Sequence, residues 1–385
     1  MTLEDSVHSK YFTACNHRLK RSPFYSCYAG PEVALGIYNR RLYPWTTGHD
    51  PIEVYWHLRK KAVLYDVPET PLEIEGPDAV RLLNKVLTRK VEKTKVGRAG
   101  YGLACLPNGG ILMDGMLVRL AEEKFWYIQA DGDFLGWLNA HAIGMDVEIR
   151  DPHSWAIQVQ GPESLNVLKN ACDGPSPDPF NYFDVSHCEI AGQELMVSRT
   201  GWTGELGFEL YTPSEDVDGP AIWNRLLEAG QPQGLIANGL ESMSIRRIEA
   251  GIMDYGTDLN ENLNPYQAGL GNFVHLSKPD FIGKQALEKT DKTPLLYGFL
   301  CDQGTPARDS VVSYDKHVIG RVTSSAWSPY LEKGIGYWLA GESANWHGKP
   351  ITVASASDEV MPATVAEFPF FDAKKEIPRG LAVME

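Results

Sequence analysis

One pattern occurs twice in the chain and constrains the fold more than any other. Leu72-Glu73-Ile74-Glu75 alternates apolar and acidic residues, breaks at Gly76-Pro77-Asp78, and runs on into Ala79-Val80-Arg81-Leu82-Leu83. Ile157-Gln158-Val159-Gln160 repeats the alternation, Gly161-Pro162-Glu163 repeats the break, and Ser164-Leu165-Asn166-Val167-Leu168 repeats the run. Alternation with period two is the mark of a strand with one buried face. Pro at the first helical position with an acid behind it suits a helix start. Both copies therefore predict a strand turning sharply into a helix.

After each copy the same kinds of element recur. Residues 101–105 and 116–120 form a predicted hairpin around Pro107-Asn108-Gly109-Gly110, followed by a strand at 125–130 and a helix at 134–142. Residues 185–190 and 195–199 form the second hairpin, around Ala191-Gly192-Gln193, and a strand and a helix at 221–228 follow again. The fold class is thus α+β: two repeated ferredoxin-like split βαβ units. From about residue 292 the texture changes to short strands broken by Gly, Pro, Asn and Asp, which predicts an all-β barrel. The expected divisions are an aromatic N-terminal arm (1–52), a first repeat (53–150), a second repeat (151–290) and the barrel (291–385). Two similar halves commonly meet at a binding site.

Composition excludes several classes of function. A net charge of −14 argues against a nucleic-acid partner, which needs a clustered positive surface. The densest basic cluster, Arg18-Leu19-Lys20-Arg21, suits one small anion. No apolar run is long enough to span a bilayer, and the acidic start Met1-Thr2-Leu3-Glu4-Asp5 resembles no targeting peptide, so the expected location is cytoplasmic. The six cysteines show no C-x-x-C spacing and read as free thiols in a reducing compartment. No metal site is expected, because the histidines form no ligand pattern.

Within the second repeat, Arg199-Thr200-Gly201-Trp202-Thr203-Gly204-Glu205-Leu206-Gly207-Phe208-Glu209-Leu210-Tyr211 is a glycine-rich turn feeding a strand. Phe208 and Leu210 fall on one face, Glu209 and Tyr211 on the other. Taken alone, Glu209 is plainly read as facing water; buried, it would need hydrogen-bond donors.

These residues resemble a known family. Gly201-Trp202-Thr203-Gly204-Glu205-x-Gly207-Phe208-Glu209 is similar to the G-[YW]-T-G-E-x-G-x-E strand of the glycine-cleavage T-proteins, the folate-dependent aminomethyltransferases. Arg247-Ile248-Glu249-Ala250-Gly251 with Tyr255-Gly256-x-Asp258 resembles a second signature, and Phe281-Ile282-Gly283-Lys284, Gly320-x-Val322-Thr323-Ser324 and Ile335-Gly336-Tyr337 resemble later ones. Within the superfamily, 18–24, 120–126 and 148–152 look closer to the dimethylsulfoniopropionate demethylases. Three departures from the T-proteins stand out: Met113 replaces one acid of an I-L-D-D-L motif, Glu69 stands where D-V-S-H has His, and Met243-Ser244 replaces Arg-Asp.

The resemblance implies three domains in a ring around tetrahydrofolate, with Glu209 accepting two pterin N–H bonds. It further implies cofactor contacts from Tyr101, Gln129 (an Asn in the aminomethyltransferases), Arg247 and Trp202. Arg247 reads equally as an anchor for its helix, and Trp202 equally as packing for its turn. Asp114 and Tyr211 are the expected catalytic residues. The preferred activity is transfer of a methyl group from a sulfonium donor, such as dimethylsulfoniopropionate, to tetrahydrofolate. An onium cation favours aromatic walls, for which Tyr38 and Trp45 join Trp202 and Tyr211, with Lys20 or Arg21 for a donor carboxylate. The alternatives are aminomethyl transfer of glycine-cleavage type, N- or O-demethylation, and a non-catalytic folate-binding scaffold. The partner is a small-molecule donor and the expected state a monomer or homodimer.

Overall fold

The computed structural model describes residues 18–178, 180–354 and 360–382. A two-stranded N-terminal sheet, two larger antiparallel-based sheets and a closed six-stranded barrel make up the fold of the described residues. The first sheet has five strands in the order Arg98–Cys105, Ile111–Ala121, Lys124–Gln129, Thr70–Glu75, Glu148–Arg150. The second has six: Val185–Ile190, Gln193–Ser198, Gly207–Tyr211, Ala156–Gln160, Ala62–Val67, Leu235–Ala237. Each sheet places its unit's hairpin at one edge, then the third strand, then the strand that opened the repeat. The duplicated sequence pattern is therefore a duplicated topology.

Two features differ from the sequence expectation. Ala62–Val67, from the segment assigned to the first repeat, lies in the second sheet, antiparallel to Ala156–Gln160 and parallel to Leu235–Ala237. The chain crosses to the first sheet through Pro68-Glu69 alone, since Thr70 already pairs with Gln129. The division at 53 thus cuts across the sheets. The second difference concerns the Gly-Pro breaks. The helices begin at Ala79 and Ser164, two residues beyond the prolines, after turns in which Gly76 and Gly161 carbonyls accept from Ala79 and Ser164 N–H at 3.0 Å. The glycines matter more than the prolines: φ is 137° and 121°, and a Cβ would stand 2.7 Å from Asp146 O and 2.4 Å from Lys61 O. Only glycine accepts both demands.

Alternation sorts the side chains into three layers. Phe208, Leu210, Ile157, Val159 and Leu64 pack under helices Ser164–Ala171 and Gly219–Gly230. Leu72, Ile74, Leu117, Phe125 and Tyr127 pack under Ala79–Val86 and Phe134–His141. The opposite faces meet: Ala99, Val118, Trp126 and Ile128 of the first sheet pack on Val63, Tyr65, Val67, Met196 and Tyr211 of the second. Helices lie outside and a seam lies between the sheets.

Helix Pro51–Lys60 begins as expected, with Pro first and Asp50 Oδ1 accepting from Ile52 N–H at 2.8 Å. It packs on helix Glu241–Glu249, which in turn rests on the barrel through Tyr337 OH, donating to Ile248 O at 2.8 Å. Cys27, Cys105, Cys172, Cys188 and Cys301 are free thiols; Cys15 lies outside the described residues. No helix among the described residues is long and apolar enough to cross a membrane.

Candidate functional site

Polar side chains gather where the seam opens. Gln158 and Glu209 are register partners on adjacent strands, so both project from the seam face of the second sheet. Glu209 is buried and accepts three hydrogen bonds: from Gln158 Nε2 at 2.9 Å, Thr200 Oγ1 at 2.5 Å and Tyr211 OH at 3.0 Å. Burial raises its pKa, and the Thr200 and Tyr211 hydroxyls oppose that rise. The same Gln158 nitrogen donates to Glu69 Oε1 at 3.0 Å. Glu69, at the crossover between the sheets, is pushed up to about 8 by burial and by the neighbouring Glu209 charge. Its Oε2 and the Gln158 Oε1 are buried with no hydrogen-bond partner.

The first sheet supplies a second acid. Asp114 shares the seam face of its strand with Val118, and Tyr101 OH donates to its Oδ2 at 2.8 Å. Its Oδ1 is buried without a partner. Burial pushes its pKa up to about 6, with Asp254 adding to the rise. Asp254, on the loop after helix Glu241–Glu249, is itself raised by burial and takes a bond from Thr257 Oγ1 at 2.7 Å. Tyr38, at the end of the N-terminal strand Ala34–Tyr38, feels Asp254, Asp114 and Glu69 together. Tyr38 thus stands among acids from all three directions.

A two-residue turn, with Asn39 and Arg40 at φ of 50° and 61°, closes that N-terminal hairpin. Asn39 Oδ1 accepts from Gly132 N–H at 3.0 Å and from Gln129 Nε2 at 3.2 Å, and Arg41 Nη1 donates to the Glu69 carbonyl at 2.8 Å. Asp66 anchors the rest of the arm. It accepts from Ser22 Oγ and Tyr28 OH, and burial pushes it up to about 7.

Several expected residues stand elsewhere. Gln129 shares the strand parity of Phe125 and Tyr127, the helix-side face. Its amide donates to Asn39 and Gly132 O and accepts from Phe134 N–H. It holds the hairpin tip and starts a helix. Arg247 is buried and donates to Asp258 at 2.5 Å, to Ile252 O and to Ser324 Oγ of the barrel; it is an anchor. Its guanidinium covers the Trp202 ring at 5.3 Å. Lys20 and Arg21 are exposed, one near His153 and the other against Tyr25. Trp45 is 38% exposed. Of the four aromatic residues expected to wall a donor cation, Trp202 and Tyr211 pack in one cluster at the seam.

The sequence reading passed over Gln158, Asp254 and Thr200, and noted Glu69 only as a departure. Gln158 was detectable: a polar residue alternating with Ile157 and Val159 beside the Glu209 strand.

Model matching places a GCVT N-terminal domain over residues 41–278 and a glycine cleavage T-protein C-terminal barrel domain over 295–372. The chain belongs to the glycine cleavage T-protein family. Relatives of the chain include an aminomethyltransferase of Halalkalibacterium halodurans, 33% identical over 82% of this chain and 88% of its own. One from Symbiobacterium thermophilum is 32% identical over 92% and 98%. A trimethylamine-oxide aldolase of Ruegeria pomeroyi is 34% identical over 86% of this chain and 44% of its own. The aminomethyltransferase T structure from Bartonella henselae superposes with a TM-score of 0.83 at 25% identity, covering 92% of this chain and 98% of that one. The chain is an enzyme of the folate-dependent one-carbon transferase class.

Proposed function

We propose that the protein moves a one-carbon unit from an amine-linked donor to tetrahydrofolate, in the manner of an aminomethyltransferase. The observation that carries this reading is Asp114: a buried carboxylate fixed by Tyr101, with one oxygen unpartnered at the seam. An amine leaving group has to acquire a proton, and a carboxylate titrating near neutrality suits that chemistry. A sulfonium donor needs no such group, because its thioether leaves neutral. The two basic residues expected to meet a sulfonium donor's carboxylate, Lys20 and Arg21, are exposed, one beside His153 and the other against Tyr25. Relatives named for aminomethyl and amine-oxide chemistry support the nitrogen-linked donor.

The residues present fit a pterin. Gln158 Oε1 and Glu69 Oε2, beside Glu209, are buried acceptors lacking donors, and a pterin edge is rich in N–H donors. Glu209 already accepts three of the roughly four bonds a carboxylate can take. It therefore offers one bond rather than the expected pair, with the second acceptor drawn from its neighbours. Tetrahydrofolate, when bound, would supply two N–H groups whose nitrogens accept the one-carbon unit and whose protons leave with the two groups displaced from that carbon, one of them the amine. Glu209 and Gln158 would hold the ring, Asp114 Oδ1 would take the proton given up by the attacking nitrogen and pass it to the departing amine, and Tyr101 would fix its orientation.

The test is an NMR assay with protein, tetrahydrofolate and either an aminomethyl donor or dimethylsulfoniopropionate. Methylene-tetrahydrofolate with release of ammonia is expected. Methyl-tetrahydrofolate formed only from the sulfonium would restore the other donor, and binding without any product would make the protein a scaffold.

A further inference from the structure

The mechanism leaves one group unused. Glu69 lies within hydrogen-bond distance of the same amide nitrogen that holds Glu209, so two buried carboxyls flank one Gln158 side chain. Gln158 is fully buried, its nitrogen is committed to both acids, and its oxygen has no partner. Two carboxylates this close do not both ionise at little cost; one retains a proton. We propose that Glu69 and Glu209 form a proton-sharing pair, with Glu69 the holder of the proton, and that a ring offering N–H donors displaces it by bonding to Glu69 Oε2. Glu69 is then a specificity residue for the pterin, an inference that rests on the folate reading above.

The surroundings support Glu69 rather than Glu209 as the proton's place. Glu209 has two hydroxyl donors besides Gln158, whereas Glu69 Oε2 has none. The titratable groups facing Glu69 are Glu209 and Tyr211 from strand Gly207–Tyr211, Asp66 from strand Ala62–Val67 just before it, and Arg41 and Tyr38 from the N-terminal hairpin. Arg41 is the one cation in that set, and an Nη1 proton of it is bonded to the Glu69 carbonyl. Two carboxyls besides Glu69 thus outweigh one base. The balance is simple: the protonated Glu69 carboxyl loses its proton to solvent as the ring's N–H forms a bond to the resulting carboxylate.

Two measurements test this on the full chain. Difference infrared spectroscopy at pH 7, with carbon-13 glutamate labelling, should show a protonated-carboxyl stretch that Glu69→Gln removes. Calorimetry of tetrahydrofolate binding in buffers of different ionisation enthalpy should show close to one proton released per chain. Glu69→Gln should abolish that release and weaken binding roughly tenfold to a hundredfold. No protonated-carboxyl band, or a release unchanged in Glu69→Gln, overturns the proton-sharing pair. The band present and lost in the variant, with no tetrahydrofolate binding by the unaltered protein, leaves the pair standing and sinks the folate reading instead.

Discussion

Asp114 shows how one side chain is tuned by where its strand places it. Burial raises its pKa to about 6, and Tyr101 OH opposes that rise. Ionised at neutral pH, it presents a carboxylate oxygen with no internal competitor. Activity should therefore increase as pH rises through about 6 and flatten above it, read as kcat/KM against pH. Asp114→Asn should lower kcat by about 10²–10⁴-fold while leaving tetrahydrofolate affinity within severalfold. Loss of folate binding instead would make Asp114 a cofactor contact. Tyr101→Phe frees the second carboxylate oxygen from its donor and should move the pH profile upward, because that hydrogen bond favours the ionised form.

At the scale of elements, much of the architecture was legible because alternation and glycine breaks are local signals. The paired Gly-Pro turns, both hairpins and the barrel texture all appear in the sequence. Side-chain roles were legible where parity alone decided them, as for Glu209 and Tyr211 against Phe208 and Leu210. The misplacements have non-local causes. Strand Ala62–Val67 reads as a plain apolar strand, and only pairing with Ala156–Gln160 assigns it to the second sheet. Gln129 was given a cofactor role by analogy, yet its parity with Tyr127 turns it toward the helices. Lys20, Arg21 and Trp45 are expected at the donor site for their chemistry alone, which says nothing of where an extended arm lays each side chain. The hairpin tip is where that arm meets the site. Asn39→Ala removes the acceptor of Gly132 N–H and Gln129 Nε2 and asks alanine to hold a φ of 50°. The tip should loosen at a cost of about 1–3 kcal/mol. We expect faster proteolysis within the arm and a raised KM for donor, with the melting of the barrel unchanged. An unaltered KM would separate the hairpin from donor binding.

For the whole molecule, the family's signature acids do structural work at the junction of sheet, helices and barrel. Arg246 Nε donates to Glu205 Oε1 at 2.8 Å, Arg59 Nε stands 2.8 Å from the same oxygen as an ion pair, and Glu249 accepts from Tyr55 OH at 2.8 Å and Ser328 Oγ at 2.5 Å while facing the same two arginines. All four charged residues are at most 5% exposed. Two positive and two negative charges balance there, so Glu249→Ala, which strands a buried cation, should cost about 3–5 kcal/mol in urea unfolding. The seam has no such balance, and that sets how stability depends on pH. Asp114, Asp66 and Glu69 have folded-state pKa values raised to about 6, 7 and 8. The folded chain then binds protons that the unfolded chain has released, so these groups stabilise most below pH ~4 and their contribution is lost as pH rises through each folded value. Lys278 and Lys375, lowered to about 8 by burial, return stability only above that pH. Between pH 5 and 8 the acids dominate, and Tm should fall across that window, with several kcal/mol of stability lost at about 1.4 kcal/mol per unit per group. Glu69→Gln should flatten the decline over the whole window, because its proton is retained longest. A Tm that is level or rising from pH 5 to 8 would mean that these carboxyls ionise freely in the folded chain. Adding tetrahydrofolate should raise Tm, and more so at pH 8 than at pH 6, since the ring's donors favour the ionised acids.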